Sequence, residues 1–336
     1  MTREAQRKVA VVTGGTAGVG RAAVRELAGR GYDVAVLARG EAGLEGAAAD
    51  VRAAGGRALP LTTDVADEEA VRRAADRTEA ELGPIDVWVN AAFCGSLAFS
   101  WDTGMDEWRR INDVTYFGQV HGTLAALERM RPRDRGVIVN VGSAMAYRSI
   151  PLQAPYCAAK HAVKGFTESV MTELAHDKSK VKLCMVQLPG LNTPQFNWNL
   201  NKLDRHPMPV PPIFQPELAG RAIAHLAEHP RRNMWVGLST AYTILGERLA
   251  PKFMDLYLGR SGVKSQQTGE DAPRLGPNLF RPGDDAEDQG AHGPFDDQAH
   301  ARDPLLELSI RRSAALGIAG AAAVLGGAAV AVLSRR

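Results

Sequence analysis

Short apolar runs rich in β-branched residues alternate with longer segments of helical periodicity through residues 8–258. The short runs predict buried strands and the longer segments predict helices, because side chains repeat every two residues in a strand and every 3.6 in a helix. Strands are predicted at 8–13, 32–38, 58–65, 85–90, 137–141, 181–188 and 233–237. Helices are predicted from near 21, at 41–54, 67–82, 106–130, 154–176 and 216–228, and in a last stretch to about 258. This alternation indicates an α/β fold, a doubly wound parallel sheet with helices on both faces.

A glycine-rich turn, GGTAGVG, joins the first strand to the first helix. Gly14, Gly18 and Gly20 permit a tight turn and let backbone N–H groups approach a pyrophosphate at the positive end of the helix. Thr16 and Val19 lie in the same turn and belong to the predicted cofactor site. The order of strand, glycine turn and helix therefore predicts dinucleotide binding.

The second predicted strand ends in Ala38 followed by Arg39. An acid at this position would bind the adenosine ribose hydroxyls, whereas a guanidinium suits the 2′-phosphate of NADP. Arg39 therefore favours NADP(H) over NAD(H). The alternative is a solvated arginine in a loop.

Tyr156 and Lys160 are four residues apart in a predicted helix and so project from one face. A nearby ammonium lowers the pKa of a phenol from its usual value of about 10, which would make Tyr156 a usable general acid or base. Ser143 ends a strand and could hydrogen-bond the same substrate oxygen. The alternative is a packed tyrosine and a solvated lysine.

Several short motifs occur in one order along the chain: Thr13-Gly14-x-x-x-Gly18-x-Gly20, Asp64-Val65, Asn90-Ala91-Ala92, Ser143, Tyr156-x-x-x-Lys160 and Pro189-Gly190-x-x-Thr193. Together they resemble the classical short-chain dehydrogenase/reductase family over residues 8–258. The resemblance implies a Rossmann-type fold and hydride transfer between NAD(P) and a carbonyl or alcohol. It also implies a homodimer or homotetramer formed through the helices that carry residues 106–130 and 156–176.

The same resemblance assigns roles to individual residues. Tyr156 would be the general acid/base, Lys160 would lower its pKa and bind the nicotinamide ribose, and Ser143 would orient the substrate oxygen. The remaining cofactor contacts would come from Asp64 and Val65 at the adenine, Asn90 and Ala91 along the cofactor, and Pro189 and Thr193 near the carboxamide.

Two positions depart from the family pattern. Phe93 replaces the glycine of the usual Asn-Asn-Ala-Gly and would narrow the site. Thr115 stands where the family has a catalytic asparagine that holds a proton-relay water. A threonine hydroxyl can donate and accept hydrogen bonds, so we predict slower but real turnover, which Thr115→Asn should raise or at least preserve.

Composition narrows the class of protein. The net charge of +2 and hydrophobic content of 45% are ordinary, and no clustered basic face suggests nucleic-acid binding. Three dispersed cysteines and no secretory signal predict a reduced, cytoplasmic catalytic domain. The histidines show no metal-binding spacing, so no metal is predicted.

The C-terminal part changes character. We predict a catalytic domain over 1–258 and a hydrophobic helix within 305–336. The Pro/Gly/acidic segment between them, 259–304, is predicted to be mostly a flexible tether or a strand draped on the surface, in which Leu279 and Phe280 dock locally. Residues 313–333 carry no charge and are flanked by arginine pairs, which favours a membrane anchor. The alternative is an Ala/Gly-rich helix docked on protein.

The proline-rich stretch 194–216 suits a substrate lid, or a loop that packs on the core. Its apolar residues and those near the predicted site indicate a lipophilic carbonyl or alcohol substrate: Phe93, Phe99, Trp101, Phe196 and Trp198. An NADP(H)-dependent oxidoreductase is the leading function. The competing hypothesis is a membrane-tethered NADP(H) sensor or scaffold with weak or lost catalysis.

Overall fold

The computed structural model describes residues 7–272 and 277–311. Its strands are β1 (Val9–Thr13), β2 (Asp33–Ala38), β3 (Ala58–Thr62), β4 (Ile85–Asn90), β5 (Ser96–Leu97), β6 (Val137–Val141), β7 (Lys182–Gln187), β8 (Leu200–Asn201), β9 (Arg205–Pro207), β10 (Ile213–Phe214), β11 (Asn233–Trp235), β12 (Gln267–Asp271) and β13 (Ala299–His300). Its α-helices are α1 (Gly18–Gly29), α2 (Glu41–Ala53), α3 (Glu68–Glu81), α4 (Met105–Asn112), α5 (Gly118–Met130), α6 (Ala154–His176), α7 (Gln195–Trp198), α8 (Pro216–Glu228), α9 (Leu238–Leu249), α10 (Pro251–Ser261) and α11 (Pro304–Ile310).

Within these described ranges, seven strands form one parallel sheet in the order β3-β2-β1-β4-β6-β7-β11. The central strands are buried on both faces, as their continuous Val and Ile runs require. Helices α1, α2 and α8 cover one face, and α3, α5 and α6 cover the other. The predicted doubly wound α/β fold is confirmed.

The strand order reverses between β1 and β4. From β1 the chain proceeds outward to β2 and β3, whereas β4, β6 and β7 continue in the opposite direction. Connections that leave a sheet in opposite directions open a crevice at the carboxyl ends of the strands, where α/β proteins bind ligands. The glycine turn follows β1 and therefore begins at this crevice.

The single helix predicted over 106–130 is interrupted. It divides into α4, a π-helical turn at Asp113–Phe117, and α5. π-turns accommodate an extra residue and often occur at functional sites. Thr115 lies in this turn and is completely buried.

The stretch 194–216 folds into short elements rather than one long irregular loop. Helix α7 and strands β8, β9 and β10 fall within it, and β8 pairs with β5 beside the crevice. The predicted domain boundary at 258 lies inside α10, which runs on to Ser261.

The described part of the C-terminal segment packs on the core, which agrees with the predicted alternative of a strand draped on the surface and not with a flexible tether. We call residues 277–300 the C-terminal strap. Leu279 and Phe295 of the strap are buried, and β13 pairs with β10. Upstream of the strap, β12 pairs with β9, and downstream of it, α11 contacts α8 and β11. Composition could not reveal this packing, because its partners are distant in sequence.

The predicted membrane helix at 313–333 lies outside the described residues. Among residues 7–272 and 277–311, no helix is both long and apolar enough to cross a bilayer.

Candidate active site

A cleft runs along the carboxyl edge of the sheet from the end of β2 to the start of α6. The residues predicted for the site are concentrated in its walls. Those that line it are Gly14, Thr16, Gly18, Val19, Gly20, Arg39, Asp64, Val65, Ala91, Ser143, Tyr156, Lys160, Pro189 and Thr193. Asn90 and Thr115 are not among them.

The turn after β1 admits only glycine at its closest contacts. Gly14 and Gly18 have positive φ angles of +65° and +52°. A Cβ on Gly14 would lie 2.6 Å from the Cα of Ala92, and one on Gly20 would lie 2.0 Å from the carbonyl oxygen of Gly14. The turn thus presents bare backbone at the N-terminus of α1, and the residues present fit the pyrophosphate of a dinucleotide.

The opposite end of the cleft brings together the three predicted catalytic side chains. Ser143 and Tyr156 both line the cleft, and the Ser143 hydroxyl acts to lower the pKa of Tyr156. Lys160 Nζ lies 5.6 Å from the centroid of the Tyr156 ring and donates to the carbonyl oxygen of Val141 at 2.7 Å. Ser143 Oγ also accepts from the backbone N–H of Met145 at 3.1 Å. Helix α6 thus positions two of the three side chains, and the end of β6 positions the third.

Burial shifts the pKa values of Tyr156 and Lys160 in opposite directions. Burial raises the pKa of Tyr156 above its usual value, and the Ser143 hydroxyl opposes that shift only in part. Burial lowers the pKa of Lys160 to about 7. In this arrangement burial favours the neutral form of both side chains, and the amine is directed at the carbonyl oxygen of Val141. A neutral phenol is a proton donor, which suits the protonation of a carbonyl oxygen.

Asn90 holds the sheet together instead of lining the cleft. Its side chain accepts from Trp88 Nε1 at 2.8 Å and donates to Asn140 Oδ1 at 2.8 Å and to Thr123 Oγ1 at 3.1 Å. This buried network joins β4 to β6 and α5. The Asn90 side chain is therefore committed to the sheet and does not face the predicted cofactor site.

Thr115 is likewise engaged elsewhere. Its hydroxyl donates to the carbonyl oxygen of Cys94 at 2.9 Å and accepts from the Cys94 N–H at 3.1 Å. The hydroxyl that the predicted proton relay would use thus already donates to, and accepts from, the backbone after β4. Val114, one residue earlier, lines the cleft.

The adenosine end of the cleft is charged. Asp64 accepts from Arg110 Nη2 at 2.6 Å and from the N–H of Ala66 at 3.0 Å. Burial alone would raise the pKa of Asp64, but these hydrogen bonds outweigh it and hold that pKa below its usual value. Arg39 donates to the backbone carbonyl oxygens of Asn278 and Leu279 in the strap. No local motif could have indicated Arg110 or the strap.

The catalytic end is apolar, but only some of the predicted apolar residues line it. The ring of Phe93 meets that of Tyr156 edge to face with centroids 5.9 Å apart, and Phe196 and Trp198 also line the cleft. Phe99 and Trp101 instead stack on each other at 4.9 Å and do not line it, and Trp101 is largely exposed. The apolar wall is therefore made by Phe93 and α7.

A parallel sheet with a strand-order reversal, a glycine turn at that reversal and a Ser-Tyr-Lys group in the same cleft together define a dinucleotide-binding oxidoreductase of the Rossmann type. The family model of the short chain dehydrogenases matches residues 8–203. The chain belongs to this family. An uncharacterised oxidoreductase of Bacillus subtilis, YxnA, is 30% identical over 288 residues, which cover 85% of this chain and 81% of that protein.

Solved structures of similar fold contain nicotinamide cofactors. A variant of the actinorhodin polyketide ketoreductase with NADPH is 26% identical, with a TM-score of 0.61 over 68% of this chain and 95% of that one. A short chain dehydrogenase/reductase from Burkholderia phymatum in complex with NAD is 23% identical, with a TM-score of 0.64 over 75% of this chain and 95% of that one. The second likeness shows the fold alone.

Proposed function

We propose that the protein transfers a hydride between a nicotinamide dinucleotide and a carbonyl or alcohol substrate, with Tyr156 as general acid/base. The observation that supports this most directly is the position of Ser143, Tyr156 and Lys160 in the same cleft as the glycine turn. A glycine turn alone would suit any nucleotide, whereas a serine, a tyrosine and a lysine in the same cleft provide for proton transfer to a substrate oxygen.

The bound nicotinamide supplies the hydride in reduction and accepts it in oxidation. The chain itself handles the proton. The Tyr156 hydroxyl donates its proton to the carbonyl oxygen, and the Ser143 hydroxyl donates a hydrogen bond to the same oxygen. Lys160 is buried beside Tyr156 with a pKa of about 7, so near neutral pH it is close to half protonated and can return a proton to the phenolate.

The substrate that fits this end of the cleft is lipophilic. Phe93, Phe196 and Trp198 form the wall beside Tyr156. The ketoreductase of similar structure is named for a polyketide, and its name agrees with a ketone substrate. Apolar walls exclude water from the reacting oxygen and favour substrates that bury a carbon skeleton.

The preference for NADP(H) over NAD(H) rests on Arg39 and is part of the proposal. Arg39 lines the cleft after β2, and Ala38 leaves no acid at the end of that strand. A guanidinium at this place favours a 2′-phosphate.

We also propose that the chain forms homodimers or homotetramers through α4, α5 and α6. Met105, Phe117 and Leu124 are large apolar side chains exposed along α4, the π-turn and α5. Light scattering of the protein eluting from a sizing column measures the assembly, and Leu124→Glu should shift it toward the monomer if this face pairs. A dimer unaffected by that change would contradict the assignment of the face.

The test of the function is oxidation of NADPH and NADH with a panel of aldehydes and ketones of increasing chain length. Tyr156→Phe should lower turnover about a thousandfold and leave cofactor affinity within about threefold, because only the proton donor is removed. Tyr147→Phe is the matched control, since Tyr147 contacts Lys164 and does not line the cleft. Activity that survives Tyr156→Phe would refute the mechanism, and absence of cofactor binding would refute the function.

A further inference from the structure

The C-terminal strap docks on a surface shaped to receive it. Gly40, Gly43 and Gly46 follow one face of α2 at intervals of three residues. A Cβ on Gly40 or Gly43 would lie 2.1 or 2.3 Å from a carboxylate oxygen of Asp284, and a Cβ on Gly46 would lie 2.0 Å from Oδ2 of Asp288. A side chain at any of these positions would have to displace the carboxylate of Asp284 or Asp288, and at Gly40 it would also meet the backbone of Asp284.

Ionic and backbone contacts fix the strap in the same place. The guanidinium of Arg21, which is buried, donates to both carboxylate oxygens of Asp288 at 2.9 and 3.1 Å. At the N-terminus of α2, the N–H of Gly43 donates to the Asp284 carbonyl at 3.0 Å. At the N-terminus of α1, the N–H of Gly18 donates to the Gly290 carbonyl at 3.1 Å. The strap thus touches both helices whose N-termini face the dinucleotide cleft.

Asp284 is the strap residue whose chemistry bears on the cofactor. It lines the cleft and is only 7% exposed. Among the described residues, no hydrogen bond reaches its carboxylate, although its charge acts on Arg39. A carboxylate in the cleft that accepts no hydrogen bond from the described residues can accept hydrogen bonds from a ligand.

We propose that Asp284 is a cofactor-specificity residue contributed by the C-terminal strap. This inference rests on the proposed function. The carboxylate accepts hydrogen bonds from the adenosine ribose hydroxyls of NAD(H) and repels the 2′-phosphate of NADP(H), as an acid at the end of β2 would. Asp284 therefore opposes Arg39, and the choice of cofactor follows from the balance of two residues that are remote in sequence.

The position of Arg39 adds to this opposition. Its guanidinium already donates to the carbonyl oxygens of Asn278 and Leu279 in the strap. A 2′-phosphate must therefore compete with the strap for Arg39 as well as approach Asp284. Both effects weaken NADP(H) binding while the strap is docked, whereas NAD(H) gains the hydrogen bonds from its ribose hydroxyls to Asp284.

The experiment measures equilibrium binding of NADH and NADPH to the purified full-length protein by nicotinamide fluorescence. Asp284→Asn should lower the ratio of Kd for NADPH to Kd for NADH at least tenfold, because the repulsion of the phosphate is removed. Asp297→Asn, an exposed acid of the same strap that does not line the cleft, should leave the ratio within twofold. An unchanged ratio in Asp284→Asn would overturn the proposal.

A second variant tests the strap without altering Asp284. Gly46→Ala places a methyl group against Asp288 in the second turn of α2, outside the cleft, and should displace the strap. The ratio of Kd for NADPH to Kd for NADH should then fall, as in Asp284→Asn. Chymotrypsin should also cleave the chain faster after Phe280. A ratio that stays at the wild-type value while cleavage increases would overturn the proposal. Failure of the wild type to bind either cofactor would refute the proposed function itself, whereas binding of both with unaltered ratios would refute only this inference.

Discussion

The two ends of the cleft differ in how far apart along the sequence their residues lie. At the catalytic end, Tyr156 and Lys160 are one helical turn apart and Ser143 precedes them by 13 residues. At the adenosine end, Arg39 meets the carbonyl oxygen of Leu279 across 240 residues, and Arg21 meets Asp288 across 267. The catalytic end is a local motif, whereas the adenosine end is assembled from both termini of the described chain.

The two ends also differ in charge. The catalytic end is apolar, and burial there favours neutral forms of both titratable side chains. The adenosine end contains Arg39, Asp64, Arg110 and Asp284. Chemistry on an uncharged oxygen needs a proton donor in a dry site, whereas recognition of a nucleotide needs charges and hydrogen bonds. We therefore expect changes at the first end to affect turnover and changes at the second to affect binding and stability.

After Tyr156→Phe, the largest effect is expected for Lys160→Met at the catalytic end. Methionine keeps most of the length and removes the amine, so proton return to Tyr156 is lost and turnover should fall about a hundredfold or more. The measurement is kcat for NAD(P)H oxidation. Lys164→Met is the control, since that amine lies one turn further on and donates to Glu168. A similar loss of turnover in Lys160→Met and Lys164→Met would contradict a specific role for Lys160 in proton return.

The next prediction concerns pH. The pKa of Lys160 is lowered to about 7 in the folded protein, so between pH 7 and its unfolded value of about 10.4 the unfolded chain binds more protons. Stability from this group therefore rises with pH in that window. The difference in unfolding free energy between the wild type and Lys160→Met, without cofactor, should shift by about 2 kcal/mol toward the wild type from pH 7 to 9.

Taking this difference cancels the contribution of the buried cysteines, whose raised pKa values act in the opposite direction. Urea unfolding of both proteins at the two pH values measures the shift. A constant difference would mean that Lys160 is not held in a neutral form.

At the adenosine end, Arg21→Met should destabilise the fold by about 2 kcal/mol. Breaking a fully buried ion pair costs about 3–5 kcal/mol, and the loss expected here is smaller because Asp50 and Asp288 are 27% and 33% exposed. Arg25→Met is the control, since Arg25 also pairs with Asp50 but is more exposed. Urea unfolding provides the comparison, and equal losses in the two variants would show that Asp288 contributes nothing.

The smallest effect is expected at the π-turn between the two ends. Thr115→Val keeps the volume but leaves the N–H and carbonyl of Cys94 without their partner, which should cost about 1 kcal/mol. Thr172→Val on the surface of α6 is the control. Thermal unfolding measures the loss of stability. A large loss of turnover with unchanged stability would instead indicate that Thr115 takes part in catalysis.

The strands and most helices follow from sequence periodicity to within a few residues. β4, β6, α6 and α8 begin and end where their patterns predict. The interruption of 106–130 was not predicted from helical periodicity, and Thr115 in the π-helical turn bonds to Cys94, 21 residues earlier. The role of Asn90 was likewise not predictable from the sequence, because its side chain hydrogen-bonds to buried polar groups on neighbouring elements.

The sequence by itself determined the parallel sheet, the glycine turn and the proximity of Tyr156 to Lys160, because each depends on periodicity or on residues within one turn of each other. Tertiary structure alone decided that Asp284 lies in the dinucleotide cleft and that Lys160 is directed at Val141. The physical reason is that a carboxylate in a polar, glycine-rich segment has the same local sequence whether it is solvated or buried. The glycine face of α2 and the guanidinium of Arg21, both remote from Asp284 along the chain, help to hold the strap against the cleft.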